Sequence, residues 1–218
     1  MPSGLFVTLE GCEGSGKTSQ VRYLRANLKG LGIPVTVVRE PGGTTLGDKL
    51  RRILKFSSIP LTPETELLLF NASRAELVKQ IVVPALRDGH VVICDRFTGS
   101  TIAYQGYGRG LSLDLVRSVN AAATGGLKPD ITILLDISPE EGLMRNTSPR
   151  DRFETDFEKP EVIGFHRKIR QGYLDLAAQN PQGWVVVDAT LSQEDVANRI
   201  WNELLPSLEN EGYIRQAT

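Results

Sequence analysis

One stretch near the N-terminus, LFVTLEGCEGSGKT from Leu5 to Thr18, narrows the folds open to this chain more than any other. A short apolar run, Leu5 to Leu9, passes without a break into Gly11-x-x-x-x-Gly16-Lys17-Thr18. Val21, Leu24, Leu28 and Leu31 then recur at spacings of three and four, which reads as one face of a helix. Strand, glycine loop and helix in that order make a phosphate-binding loop. The glycines let the chain turn tightly enough for successive N–H groups, across Gly11, Cys12, Glu13, Gly14, Ser15 and Gly16, to point inward, and the helix start adds the positive end of its dipole. Lys17 contributes a full charge and Thr18 a hydroxyl for Mg²⁺. A nucleoside triphosphate is the ligand expected of such a loop, which by itself leaves the reaction open.

The rest of the chain alternates strand and helix signals. Runs rich in β-formers at Val35 to Val38, Val91 to Cys94, Ile131 to Leu135 and Trp184 to Val187 supply four further strands. Between and after them lie helical stretches at Thr44 to Leu54, from Thr62 through Val82, at Ser112 to Thr124, Pro139 to Arg145 and Glu158 to Ala178, and along Val196, Ile200, Leu204 and Leu208. Thr62-Pro63-Glu64 has the form of a helix start, whereas Phe97 to Gly110, glycine-rich with several hydroxyls, reads as a loop. This alternation predicts an α/β fold, a three-layer α/β/α sandwich around a five-stranded parallel sheet, with the active groups along one edge. The 218 residues fit one domain, 1–218, with a polar excursion at about 145–156 expected to act as a lid and a polar tail, 209–218, expected to fray.

With 25 basic and 26 acidic residues the chain carries no global field to attract nucleic acid or an anionic membrane, so neither is an expected partner and any phosphate must meet a local arginine cluster. The two cysteines, Cys12 and Cys94, have no metal-type spacing and suit a reducing compartment. The N-terminus has no basic run leading into an apolar segment, and the first apolar stretch is too short to span a bilayer, so a cytoplasmic location is expected.

Ligands of open α/β sheets sit beyond the C-terminal ends of the strands. Arg39 and Glu40 lie at such an end, as a ligand-binding pair or a solvated turn, and Arg51 and Arg52 follow on a short helix. Asp95 closes a central strand and fits the Mg²⁺-side acid of a phosphate-loop site, with Arg96 beside it where phosphates would meet. Phe70 and Arg74, four apart, share a helix face. They can stack on a base and hydrogen-bond its edge, or form a core ring with an arginine reaching past it, and taken alone the residues favour the second. Ser100, Thr101 and Gln105 are binding candidates in the glycine-rich segment. Arg150 and Arg152 stand on the polar excursion, which is a lid or a solvated loop, and His90 and His166 lack ligand spacing. Leu127-Lys128-Pro129-Asp130 lacks the Asn of a guanine-reading motif, and Arg96 stands where a motor ATPase carries a second acid. Transfer onto an anionic acceptor suits these features better than hydrolysis.

Several motifs together resemble the thymidylate kinase family, within the phosphate-loop nucleoside monophosphate kinases. They are LEGCEGSGKT, Arg39-Glu40-Pro41-Gly42-Gly43-Thr44, LLLFNASR, Asp95-Arg96-Phe97, Ser100-Thr101-x-x-Tyr104-Gln105-Gly106 and DRFE at Asp151 to Glu154, in the family's order over essentially the whole chain. The resemblance implies transfer of the γ-phosphoryl of ATP to dTMP with Mg²⁺, by a homodimer. It implies that Phe70 stacks on thymine, Arg74 meets its carbonyl edge, and Ser100, Thr101 and Gln105 complete the pocket. Glu13 would take the sugar 3′-hydroxyl, Tyr104 would crowd the 2′ position, and Arg39, Arg51 and Arg96 would hold the dTMP phosphate. Lys17, Thr18 and Asp95 would hold ATP and its Mg²⁺. Some family members carry a basic residue inside the phosphate loop; here it has none, so Arg152, assisted by Arg150, is expected to supply charge to the transition state. Phe97 departs from the Tyr or His that commonly follows Asp-Arg. The alternatives are a related kinase for another base, or a nucleotide-binding switch without turnover.

Overall fold

The structure, a computed structural model, describes residues 4–56, 59–145 and 160–214. At its centre lies β1 (Leu5–Glu10), all of whose side chains are buried. Its alternation sorts the two layers of helices. Leu5, Val7 and Leu9 pack with α1 (Lys17–Gly30) and α9 (Gln193–Asn210), while Phe6 enters a second cluster with Leu77, Val78 and Val82 on the opposite face. Thr8 stays polar because its Oγ1 donates to Thr132 Oγ1 of the neighbouring strand at 3.0 Å, so neither buried hydroxyl lacks a partner.

The other strands are β2 (Val35–Arg39), β3 (Val91–Asp95), β4 (Ile131–Asp136) and β5 (Trp184–Asp188), in the all-parallel order β2-β3-β1-β4-β5. Each of the five runs one residue beyond its apolar run and ends on a charged residue: Glu10, Arg39, Asp95, Asp136 or Asp188. The sheet therefore delivers a row of charges to a single edge.

On the helices, α2 (Thr45–Phe56) packs against α3 (Pro63–Leu77), whose start is capped by Thr62 Oγ1 accepting from the Thr65 N–H at 3.2 Å. The predicted long helix is continuous but contains a π-helical turn, Val78–Val82, before α4 (Val83–Arg87). Leu31 leaves the predicted apolar stripe: it lies just past α1, 55% exposed, where the chain turns. The tail predicted to fray from Glu209 is held as far as Ile214, with Tyr213 OH donating to Gly89 O at 2.9 Å.

The largest difference concerns Phe97 to Gly110, which is helical and not a loop. A short α5 (Thr98–Thr101) runs into a π-helix, Ile102–Gly108, ahead of α6 (Leu113–Thr124). No residue next to this helix start in sequence caps it. Its acceptor is Glu10, from the end of β1, which takes the N–H groups of Phe97 and Ser100 at 2.9 and 3.0 Å. Glycine at 108 lets the π-helix lie against α8 (Pro160–Gln179), since a Cβ there would meet the Phe165 ring at 2.7 Å. Tertiary contacts thus override weak local propensity. Beyond α7 (Pro139–Arg145), most of the expected lid, with Arg150, Arg152 and Asp151 to Glu154, lies outside the described residues.

Candidate active site

The phosphate loop joins β1 to α1, and Gly16, at φ 89°, opens the helix with a backbone that a β-carbon would strain. Lys17 Nζ folds over the loop, donating to Gly11 O, Cys12 O and Ser15 Oγ at 3.0, 2.8 and 3.2 Å. Burial, reinforced by the nearby Arg96 charge, brings the Lys17 pKa down to about 8. Cys12 is no nucleophile, because burial pushes its thiol up to about 12. The loop also rests on α7 by backbone alone: a Cβ on Gly142 would meet Glu13 O at 2.3 Å. Thr18 Oγ1 donates to Asp95 Oδ2 at 3.3 Å, which places a hydroxyl and a carboxylate together beside the loop. Among the described residues no group of three His, Cys, Asp or Glu could hold a metal. A hydrated cation that brings its other ligands on a phosphate is what a two-residue site suits.

Arg96 connects this loop to a second cavity. Its backbone is left-handed, at φ 72°. The turned side chain donates from Nη1 to Gly11 O, Ser100 Oγ and Tyr173 OH at 3.1, 3.2 and 3.2 Å, and from Nη2 to Glu13 Oε2 at 2.5 Å. Burial alone would raise the Glu13 carboxyl, but Arg96 and then Lys17 hold it well below the usual range. Glu13 Oε1 accepts from Tyr104 OH at 2.9 Å, and the Arg96 guanidinium lies over the Tyr104 ring at 5.2 Å. Behind them Glu10 accepts from Ser100 Oγ at 2.6 Å and from Tyr173 OH at 3.2 Å; burial raises its pKa.

The second cavity is lined by Phe70, Arg74, Ser100, Thr101, Tyr104 and Gln105 together with Glu13 and Arg96. The structure thus brings together all the residues the sequence assigned to a base pocket. Arg74 is 1% exposed, and each of its five N–H groups has a protein acceptor. Nε and Nη2 meet Glu40 Oε2 at 2.8 and 2.5 Å, Nη2 meets Phe97 O at 3.0 Å, and Nη1 meets Asn120 Oδ1 at 2.7 Å and Asn71 Oδ1 at 3.2 Å. Phe97 explains its departure from a polar residue. It is fully buried, edge-on to Phe6 at 5.0 Å with Arg74 over its ring, so a hydroxyl or imidazole there would enter the core. Arg39 and Arg51 line the adjoining cleft, Arg39 exposed and Arg51 bonded to Pro41 O at 2.9 Å. His166 is buried against Phe165, and His90 pairs with Thr36, outside these cavities.

Sequence reasoning missed Glu10, Glu66, Asn71, Asn120, Tyr173 and Arg145. Glu10 had a signal, being an acid that ends a strand just as Asp95 does. Asn120 had one too, as an amide in a buried stripe, Val116, Asn120 and Thr124, on α6. Tyr173 had none, since only the fold brings α8 behind Arg96.

These parts define a phosphate-loop kinase for small molecules, since the group aimed between the loop and the second cavity is a guanidinium, suited to two phosphates, and not a water-orienting acid. Residues 9–200 match the family model described as thymidylate kinase. A thymidylate kinase of Deinococcus radiodurans is 47% identical over 92% of this chain and 96% of its own, and one of Synechococcus sp. (strain JA-3-3Ab) is 50% identical over 94% and 97%. The crystal structure of thymidylate kinase from Ehrlichia chaffeensis superposes with a TM-score of 0.77 at 33% identity, covering 94% of this chain and all of that one. The chain belongs to the thymidylate kinase family.

Proposed function

We propose that the chain transfers the γ-phosphoryl group of ATP to dTMP, giving dTDP and ADP, for dTTP synthesis. The observation that carries this is Arg96, bonded on one side to Gly11 and Glu13 of the loop and on the other to Ser100 of the base cavity. Two anions must approach there, so positioning and charge neutralisation supply most of the rate. Lys17 and the loop N–H groups hold the triphosphate. Thr18 and Asp95, paired beside the loop, would hold Mg²⁺, which when bound would offset charge on the triphosphate. Arg39, Arg51 and Arg96 hold the dTMP phosphate, Glu13 takes the 3′-hydroxyl, and Tyr104 fills the 2′ side. Phe70 stacks on thymine, while Arg74 reaches a base carbonyl by sharing its longest hydrogen bond, the one to Asn71. Arg152, with Arg150, adds transition-state charge, because the loop interior Cys12 to Ser15 holds no cation. The cleft's other end, by Arg145, Leu191 and Ser192, takes the adenine.

The protein works as a cytoplasmic homodimer in this reading. Leu46, Ile53 and Phe56 on α2, Leu68 on α3 and Leu115 on α6 present exposed apolar side chains suited to a second copy. Both cysteines are free, and no helix among the described residues is long and apolar enough to cross a membrane. The test is ADP release from ATP and Mg²⁺ with dTMP, dUMP, dCMP, dGMP and thymidine offered separately. Strong turnover with dTMP, weaker with dUMP and almost none with thymidine is expected. Preference for another base would discard the pocket assignment, and silence with every acceptor would discard the reaction.

A further inference from the structure

Glu66 is buried on α3 at 2% exposure. Its Oε1 accepts from Gln105 Nε2 at 2.7 Å and from Arg109 Nε at 3.3 Å, and its Oε2 accepts from Arg109 Nη2 at 3.2 Å. Arg109 in turn lies over the Phe165 ring at 4.9 Å. A carboxylate held against a guanidinium offers lone pairs and no proton, so only the NH2 end of the Gln105 amide can face it. Turned the other way, the amide would set two acceptors against each other in a buried site and leave its own donors unmatched. Gln105 lines the base cavity, and no described residue donates to its Oε1. What it offers an occupant is therefore an acceptor.

We propose that Glu66 is a specificity-determining positioning residue. By fixing the Gln105 amide it makes the pocket select a base that carries a proton on N3, thymine or uracil, and reject cytosine, whose N3 is a lone pair. The proposal rests on the reading of this cavity as the base pocket. Glu66 touches no base; it acts through Gln105, and the π-helix that carries Gln105 brings it within reach of α3.

The experiment compares kcat/KM for dTMP and for 5-methyl-dCMP, which keeps the methyl group and ring shape but exchanges the donor and acceptor senses at N3 and C4. Glu66→Gln gives Gln105 a partner that is satisfied by either end of its amide. The 5-methyl-dCMP to dTMP ratio is expected to rise about tenfold or more, with the KM for ATP unchanged. In a Gln105→Leu background the same substitution should shift the ratio no further. A ratio unmoved by Glu66→Gln but moved by Gln105→Leu overturns the role of Glu66 alone; a ratio unmoved by either overturns the base-pocket reading beneath it. Should Glu66→Gln fail to fold, the wild-type protein decides. The Gln105 side-chain NH2 signals, identified by their loss in Gln105→Leu, should keep their protection from exchange when dTMP binds. Faster exchange on binding would show the NH2 group leaving Glu66, against the proposal.

Discussion

The phosphate loop and the wall of the proposed base pocket each hold a buried cation, in adjoining cavities, and they hold it in opposite ways. Lys17 is held by two backbone carbonyls and a hydroxyl, all neutral. Arg74 is held by the carboxylate of Glu40 and by groups from three other places, Asn71 on α3, Asn120 on α6 and Phe97 after β3. Neutral acceptors give up an ammonium group cheaply, so the loop cation can turn to a ligand. A buried carboxylate cannot lose its partner at so small a cost. The loop is thus built for chemistry, while the wall is built first to hold the fold in place and only then to bind.

The largest effect expected from this contrast is on stability. Arg74→Met leaves Glu40 buried and uncompensated, and Glu40 Oε1 already lacks a partner. The substitution should cost about 3–5 kcal/mol, read from the urea midpoint, and adding Glu40→Gln should recover part of it by removing the stranded charge. A variant of wild-type stability that has lost only dTMP binding would break the comparison, because the wall would then be a binding surface alone.

A second effect tests the loop's dependence on backbone support. Gly142→Ala drives a Cβ onto Glu13 O from α7, so the helix or the loop must shift. A displacement near 1 Å at reacting groups lowers rate by about 10²-fold. The expected loss is of that order in kcat/KM for ATP, with the dTMP over dUMP preference retained. If the preference changed and ATP use did not, loop and wall would not be separable in this way.

The same contrast explains what could be read from the sequence. The loop is contiguous, and its groups are backbone atoms and two adjacent side chains, so Gly11 to Thr18 announced their arrangement. The sheet was legible for a similar reason, since five β-rich runs between helical stretches leave few topologies. The wall is assembled from the turn after β2, α3, α5, the π-helix and α6, and no local pattern says that Arg74 will meet Glu40 and Asn120. Motif resemblance named Phe70, Arg74 and Gln105, and Glu40 stood in another motif, but that Glu40 holds Arg74 and that Glu66 holds Gln105 came from the fold. Phe97 to Gly110 was misread as a loop because the residue that caps its helix, Glu10, lies far away in sequence.

The pH profile gives the finest separation of the two regions. Burial first, and the Arg96 charge second, lower Lys17 to about 8 in the free protein. The protonated form is the one phosphates need, so it is present below that pH and lost as pH rises through it. Since kcat/KM reports the free enzyme, kcat/KM for ATP should fall about tenfold per unit above about 8. Bound triphosphate favours the charged ammonium, so kcat at saturating ATP should hold to higher pH. On the acceptor side the cation is Arg96, which Glu13 keeps protonated against the effect of burial. With ATP saturating, kcat/KM for dTMP should therefore show no limb near 8. Lys17→Arg distinguishes the causes: whatever activity it retains should lose the alkaline limb in ATP, since a guanidinium does not titrate in this range. A limb of equal position in both profiles would place the titrating group where the two regions meet, and loop and wall would then respond to protons as one unit.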